Sequence, residues 1–371
     1  MTPGKPLREG FTTGTAAAGA AKAAALLLLC GRALASVDVP LPGGGRLTVP
    51  VAAVRPEGGG VFAVVIKDGG DDPDVTHGAR IGCFVERLPQ GAPGEVAVAG
   101  GEGVGRVTLP GLPVAVGQPA INPAPRAQIA AAVAEAAALA SFGGALRAEV
   151  RVAGGEEMAR KTLNPRLGIV GGISILGASG IVRPFSHAAW EASIDEALDV
   201  ARALGHEAVG FSTGRRSEAL LRAHLPQLPE TACVQAADFF AFALGAAAAR
   251  GFREIFYAAY PGKCVKMAQG LANTHAHRAD TDFSALAGWC REAGWPGDVC
   301  ARAGKANTAR HAFEMAPGTR EKTALATVLA AAAMPHMRRF AGPGPALTLC
   351  VFDFDGVLLV TKKSPPPARG G

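Results

Sequence analysis

Apolar positions along this chain follow two rhythms, and the change from one to the other divides it. Near the N-terminus Thr12, Thr13 and Thr15 precede a run of small apolar residues, Ala16 to Leu29, that is closed by Gly31. Hydroxyl side chains ahead of such a run and a glycine behind it are the start and stop signals of a helix. From Val37 to Val107 the pattern shortens to β-branched runs, Val37 to Val39, Leu47 to Val51, Val61 to Ile66, Ile81 to Val85 and Val96 to Ala99, separated by Gly and Pro as strands joined by turns require. Pro110, Pro113, Pro119, Pro123 and Pro125 then predict a stiff extended loop, followed by an Ala-rich helix at Ala127 to Ala140 and a strand at Glu149 to Val152. A Gly-rich run, Gly168 to Val182, completes an α+β first half.

Beyond Trp190 helical and strand patterns alternate: helix Trp190 to Leu204, strand Glu207 to Phe211, helix around Ala236 to Ala249, strand Glu254 to Ala258, further helices and a last strand at Leu347 to Phe352. Alternation of this kind predicts an α/β layer with a mainly parallel sheet. A chain of 371 residues exceeds what one core usually holds, so the expectation is a domain over 1–185, a second over 186–360 and a disordered proline-bearing tail over 361–371.

Composition narrows the function classes. With 49% hydrophobic and 18% charged residues the chain can bury a large core, and with only 6% aromatic residues that core must be built from small side chains. The net charge of +6 favours anionic partners, but the cations are scattered, without a basic run or a helix-turn-helix or zinc-finger signature, which argues against nucleic acid. Seven Cys without a CxxC pair read as reduced thiols of a cytoplasmic protein. Lys5, Arg8 and the apolar run ahead of Ala33-Leu34-Ala35 imitate a signal peptide, yet Lys22 and Arg32 interrupt the pattern. The stretch Ala23 to Cys30 is too short to span a bilayer, so no membrane association is expected.

Candidate chemistry sits in the loops. Asp68, Asp71, Asp72 and Asp74 crowd one Gly/Pro turn, where like charges must be neutralised or some carboxyl pKa values must rise. They are the catalytic candidates, facing a cation or holding a proton; the alternative is a structural Asx turn. Arg106, Arg126, Arg166, Arg215, Arg216, Lys263 and Lys266 flank Gly/Pro-rich loops and could meet carboxylate arms of a ligand. Gly171-Gly172 allow close backbone approach, either to a ligand or to a neighbouring strand. Thr213-Gly214-Arg215 and Pro261-Gly262-Lys263 follow two predicted parallel strands, the edge at which open sheets bind ligands. His275, His277, Asp280 and Asp282 lack a metal-site spacing, and no protein-bound metal is expected. Val351 to Gly356 matches the aspartate-nucleophile motif of haloacid-dehalogenase-type phosphatases, but the downstream domain that such chemistry needs does not fit between Gly356 and Gly371, so it reads as a strand and turn.

Several segments taken in order carry a resemblance: GFTTGT (Gly10 to Thr15), KDGGDDPDVTHGA (Lys67 to Ala79), GEGVGRVTLPGL (Gly101 to Leu112), PAINP (Pro119 to Pro123), NPRLGIVGGISILGASGIV (Asn164 to Val182) and YPGKCVKMAQGLANTHAHRAD (Tyr260 to Asp280). Together they resemble the signature set of the cobalt-precorrin-5B C(1)-methyltransferase family. The resemblance implies methyl transfer from S-adenosylmethionine to C-1 of an anionic cobalt tetrapyrrole, in anaerobic cobalamin biosynthesis, with cobalt present only in the substrate. It also implies an α+β domain followed by a three-layer α/β domain. On this footing Gly171, Gly172, Gly214, Gly262, Lys263 and Thr274 are the candidate cofactor contacts, and Thr12, Thr13, Arg106, Arg126, Arg215 and His275 the candidate substrate contacts. The chain departs from the family's pattern at Ala16 (usually Cys), Tyr260 (usually His) and Asp238 (usually Asn), so a thiol at position 16 cannot be an obligatory nucleophile. A non-catalytic tetrapyrrole carrier, or a lyase or hydrolase of the same pathway, remains the alternative, and a homo-oligomer is left open.

Overall fold

The computed structural model describes residues 7–275 and 281–364, and its internal contacts divide the chain into units 1–187 and 188–371. In the first unit a five-stranded sheet runs in the order Ala53–Glu57, Gly60–Ile66, Arg80–Arg87, Leu146–Val152, Val96–Gly100. Its pairings are antiparallel except for the last, where Leu146–Val152 lies parallel to Val96–Gly100. Helices Thr13–Cys30 and Pro123–Leu139 pack on each other, and the first also covers the strands Gly60–Ile66 and Arg80–Arg87.

The N-terminal helix has the predicted caps. Thr12 accepts the amide of Thr15 at 3.2 Å, and Gly31 closes the helix with φ 68°. Every residue from Thr13 to Leu26 is buried, so the helix has no solvent face in its first three-quarters. Alanine is what allows this, because the helix can approach a second helix and a sheet together only if its side chains are short. Lys22 interrupts the apolar run without breaking the packing: its ammonium donates to the carbonyl of Asp38 at 2.7 Å and pairs with Glu135. Among the described residues this is the one helix long and apolar enough to cross a membrane, and 78% of the window that qualifies it is buried inside the fold.

In the second unit the sheet order is Cys233–Gln235, Ala208–Ser212, Glu254–Ala259, Ala346–Phe352, Leu358–Lys363. The first three pairings are parallel and the last is antiparallel. Alternate residues point to different faces, as the strand period demands. Val209, Phe211, Ile255, Tyr257, Leu347 and Leu349 enter the main core with helices Phe240–Ala249, Pro261–Ala268 and Thr319–Ala341. Ala258, Cys350 and Phe352 instead meet Leu221 of helix Arg215–His224. The strand Leu358–Lys363 corrects the sequence reading, which ended the sheet at Phe352 and began a tail at residue 361. Its sequence LLVTKK has little apolar alternation because it is an edge strand, and Lys362 and Lys363 are the kind of charge that keeps an open edge from pairing further.

The alanine packing is directly testable. Ala20 is fully buried, and Ala20→Leu should lower stability by ~1–3 kcal/mol through overpacking, read as a lower urea midpoint. An unchanged midpoint would mean that the helix is loosely seated.

Candidate functional site

The Asp-rich turn is built against the chain's first strand, Gly10–Phe11. Phe11 donates its amide to the carbonyl of Asp68 at 2.8 Å, and a Cβ on Gly10 would lie 2.3 Å from that same oxygen. All four carboxylates accept hydrogen bonds from the protein. Asp68 pairs with the guanidinium of Arg8 and accepts the Gly70 amide at 2.9 Å. Asp71 accepts the Arg8 amide at 2.7 Å, and Asp72 accepts that of Phe185 at 2.9 Å. Asp74 pairs with the fully buried Lys67 and accepts both the amide and the hydroxyl of Thr76 at 2.7 Å.

At Asp68 and Asp74 these partners favour the ionised carboxylate, as the structural reading of the turn requires. The hydrogen bond from Arg8 holds Asp68 below the usual carboxylate range against a smaller opposing effect of burial. For Asp74 burial is the largest single influence and pushes upward, but the charge and hydrogen bond of Lys67 and the two bonds from Thr76 outweigh it and leave the group lowered. At these two positions the turn is an ionised structural element and not an acid.

Other first-unit candidates are also occupied. Thr12 caps the helix, and the buried Thr13 hydroxyl accepts the Leu176 amide at 2.9 Å, so both of these candidate substrate contacts hold backbone. Gly172 lies in a two-residue strand parallel to Gly103–Val104, where a Cβ would come within 2.2 Å of the Gly103 carbonyl. Its need is close strand approach, whereas Gly171 beside it faces open space with φ 80°. Arg106 donates to the carbonyl of Gly117, and Arg126 to that of Val98 at 2.6 Å.

The second unit brings more of the expected residues together. A cavity of about 670 Å³ opens at the C-terminal ends of its parallel strands. Thr213 follows Ala208–Ser212, Tyr260 follows Glu254–Ala259, and Phe354 lies just past Ala346–Phe352; all three line the cavity. In chain order the strands stand 2-1-3-4-5, so the chain leaves its first strand toward one edge and returns on the other side. The crevice at that reversal is where open α/β sheets bind ligands.

Gly262, Lys263, Lys266 and Thr274 line the same cavity. Lys263 stands in the first turn of helix Pro261–Ala268, paired with Asp238 and donating to the Thr274 carbonyl at 3.2 Å. The Thr274 hydroxyl donates to the same Asp238 oxygen at 3.0 Å, and Lys266 donates to the His275 carbonyl at 3.0 Å. Burial, and then the charge of Lys266, push the Lys263 ammonium down to about 8. The Asp238 carboxylate is the counter-charge that favours its ionised form. Gly214 adjoins the cavity through Thr213, and Arg215 is exposed on the first turn of helix Arg215–His224.

Sequence reasoning passed over Phe354 and Arg310, which form a column at this cavity with Tyr260 and with Arg216, one of the cations the sequence offered. The Tyr260 and Phe354 rings stack at 5.7 Å and 13°. The Arg216 guanidinium lies 6.0 Å from the Tyr260 ring, and that of Arg310 lies 4.6 Å from the Phe354 ring. In the phosphatase-like turn that carries Phe354, the Asp353 carboxylate accepts the amides of Asp355 and Val357 at 2.9 and 2.8 Å, so it is occupied as an Asx turn. His277 and Asp280 of the His/Asp cluster lie outside the described residues, and Asp282 caps helix Phe283–Glu292. Among the described residues no three metal-ligating side chains are grouped to hold an ion.

Comparison with known proteins places the chain in a family. The family model described as CbiD matches residues 1–184, and that of the CbiD C-terminal domain matches 273–363. The cobalt-precorrin-5B C(1)-methyltransferase of Nitratidesulfovibrio vulgaris is 54% identical over 362 residues, which cover 96% of this chain and 92% of that protein. The chain belongs to the CbiD family. A protein of the same name from Salinispora arenicola is 46% identical over 95% of this CbiD chain and 92% of its own length. The crystal structure of the cobalamin biosynthesis protein CbiD from Archaeoglobus fulgidus aligns at 30% identity over 70% of this chain and 79% of that one, with a TM-score of 0.39. In this CbiD chain the cavity takes Thr274, Arg310 and Phe354 from the segment matched by the C-terminal model, and Lys263 from just before it.

The structural reading of the Asp turn carries a prediction. Asp74→Asn leaves the Lys67 ammonium buried without its counter-charge and should lower stability by about 3 kcal/mol in urea titrations near neutral pH. Because the folded-state pKa of Asp74 is depressed, the stability it contributes is present above the unfolded value of about 3.9 and fades as pH falls through the folded value. The gap between wild type and variant should therefore close in acid. A gap independent of pH would show that the ion pair is not its source.

Proposed function

We propose that this CbiD chain methylates C-1 of cobalt-precorrin-5B, with S-adenosylmethionine as the donor, to give cobalt-precorrin-6A in anaerobic cobalamin biosynthesis. The observation that carries the reading is the near-full-length likeness to the Nitratidesulfovibrio vulgaris methyltransferase, at 54% identity over 96% of the chain. The cavity supplies residues that suit a methyl donor. It is of ordinary size for a small-molecule pocket, and its lining combines lysines and threonines with the rings of Tyr260, Phe283 and Phe354.

The donor's amino-acid carboxylate calls for cations, and Lys263 and Lys266 offer them beside the helix start at Gly262. Thr274, fixed by Asp238, adds a polar contact. We leave Gly171 and Gly172 out of the donor site, since neither lines this cavity and the space at Gly172 is filled by Gly103. When bound, the donor supplies an electrophilic methyl group to a carbon nucleophile of the substrate. The protein's task is then alignment and exclusion of water, which effective molarity can serve without an acid/base dyad. The commitment of the Asp turn to structural bonds is compatible with such a reaction. Arg215, cationic and exposed at this edge of the sheet, suits a carboxylate arm of the tetrapyrrole. With helices on both of its faces, the sheet of residues 208–363 reads as a three-layer α/β domain following an α+β domain that ends near residue 187.

Incubation of the purified protein with cobalt-precorrin-5B and S-adenosylmethionine should give a product one methyl group heavier by mass spectrometry. Saturable tetrapyrrole binding without that gain would leave the carrier instead. The Lys263 ammonium has its pKa lowered to about 8, so it is charged below that pH and neutral above it. The KM for the donor should accordingly rise as pH passes about 8. A KM flat across that value would remove Lys263 from the carboxylate contact.

A further inference from the structure

The column of rings and guanidinia at the cavity has a layer that can leave. Phe354 is covered on one side by Tyr260, at 5.7 Å and nearly parallel, and approached by the Arg310 guanidinium 4.6 Å from its centroid. Tyr260 is fixed at the start of helix Pro261–Ala268, and Arg216 ties the Phe354 backbone by donating to its carbonyl. Arg310 has no comparable anchor in the column. Its side chain is 64% exposed, and its ion-pair partner, Glu314 at 2.8 Å, is 50% exposed on the same short helix. An exposed pair of that kind holds a side chain only weakly.

A guanidinium is planar and delocalised, and it covers an aromatic face much as a heterocycle does. We infer that Phe354 is the seat of the methyl donor's purine ring, and that Arg310 covers that seat until the ring displaces it. Asn307, which lines the cavity beside Arg310, carries an amide that can both donate to and accept from a purine edge. The cations Lys263 and Lys266 and the polar Thr274 line the same cavity, which suits a nucleoside with an amino-acid arm better than a wholly apolar ligand. The assignment rests on the methyltransferase reading and deepens it: it names the ligand group, its ring contact and the side chain that must move.

The test is isothermal titration of the full-length protein with S-adenosylhomocysteine and, separately, with adenosine. Base–aromatic stacking predicts that Phe354→Ala weakens both ligands roughly ten-fold or more, while Phe354→Tyr stays within about two-fold of wild type. Arg310→Ala should bind as tightly as wild type or more tightly, since it removes the competitor for the ring. Wild-type affinity in Phe354→Ala, in a protein whose thermal melt is unchanged, would overturn the assignment. So would a loss in Arg310→Ala as large as that in Phe354→Ala, because Arg310 would then be a contact and not a cover. If Phe354→Ala weakens tetrapyrrole binding alone, the seat belongs to the substrate and the inference is wrong. The parallel methyl-transfer assay separates the two levels: transfer with an unchanged donor KM in Phe354→Ala sinks only the purine seat. A wild-type protein that neither binds the product nor transfers a methyl group sinks both.

Discussion

Where the amide of Phe11 meets the carbonyl of Asp68 at 2.8 Å, the backbone of Gly10 comes so close to the Asp turn that no side chain fits between them. The first unit is organised around this approach. Arg8 holds Asp68 and Asp71, Thr13 holds the amide of Leu176, the Thr15 hydroxyl donates to the carbonyl of Gly180 at 2.8 Å, and Gly10–Phe11 pairs with Ile181–Val182. Segments far apart in the chain are thereby fixed to the first turn of the N-terminal helix. That helix must then run through the middle of the core, and only alanine-sized side chains let it do so. In this unit the Thr12 to Thr15 segment and the Asp turn fasten a buried helix.

Three lysines show how one residue type divides between structure and function. Lys22 and Lys67 each pair with a carboxylate, Glu135 and Asp74, and their side chains are 9% and 1% exposed. Lys263 has the same kind of partner in Asp238, yet its side chain is 30% exposed and faces a cavity. The first two have given up water for protein on every side, and moving either would strand a charge. The third keeps room for another acceptor, and its lowered pKa reflects burial first and the nearby Lys266 ammonium second.

Local chemistry was readable in advance and assembly was not. The N-terminal helix was legible because its caps and its apolar run are contiguous, and the strands 208–212 and 254–259 because they are short, apolar and bounded. Thr213-Gly214 and Pro261-Gly262-Lys263 followed from those strands, so this part of the candidate site was visible too. Strand Leu358–Lys363 was missed because an edge strand need not alternate. The Asp turn left two readings open for a different reason: four carboxylates in one turn look unsatisfied until Arg8, Lys67, Thr76 and Phe185 are known to be their donors. Tyr260 and Phe354 come from loops far apart in the chain, and only the strand order sets them face to face.

A ligand must be bound by groups whose hydrogen-bonding and stacking capacity the fold has not already used. At the Asp turn that capacity goes to backbone amides and to Arg8 and Lys67, and the depressed pKa values of Asp68 and Asp74 record how much of it is used. At the strand ends of the second unit, by contrast, parallel strands stop together and their loops diverge, so side chains from three connections converge without filling the space between them. A sheet whose order reverses between neighbouring strands cannot close that gap with its own connections. The opening is thus a product of topology before it is a product of any one residue, and the lysines and aromatic rings around it decide what kind of molecule enters.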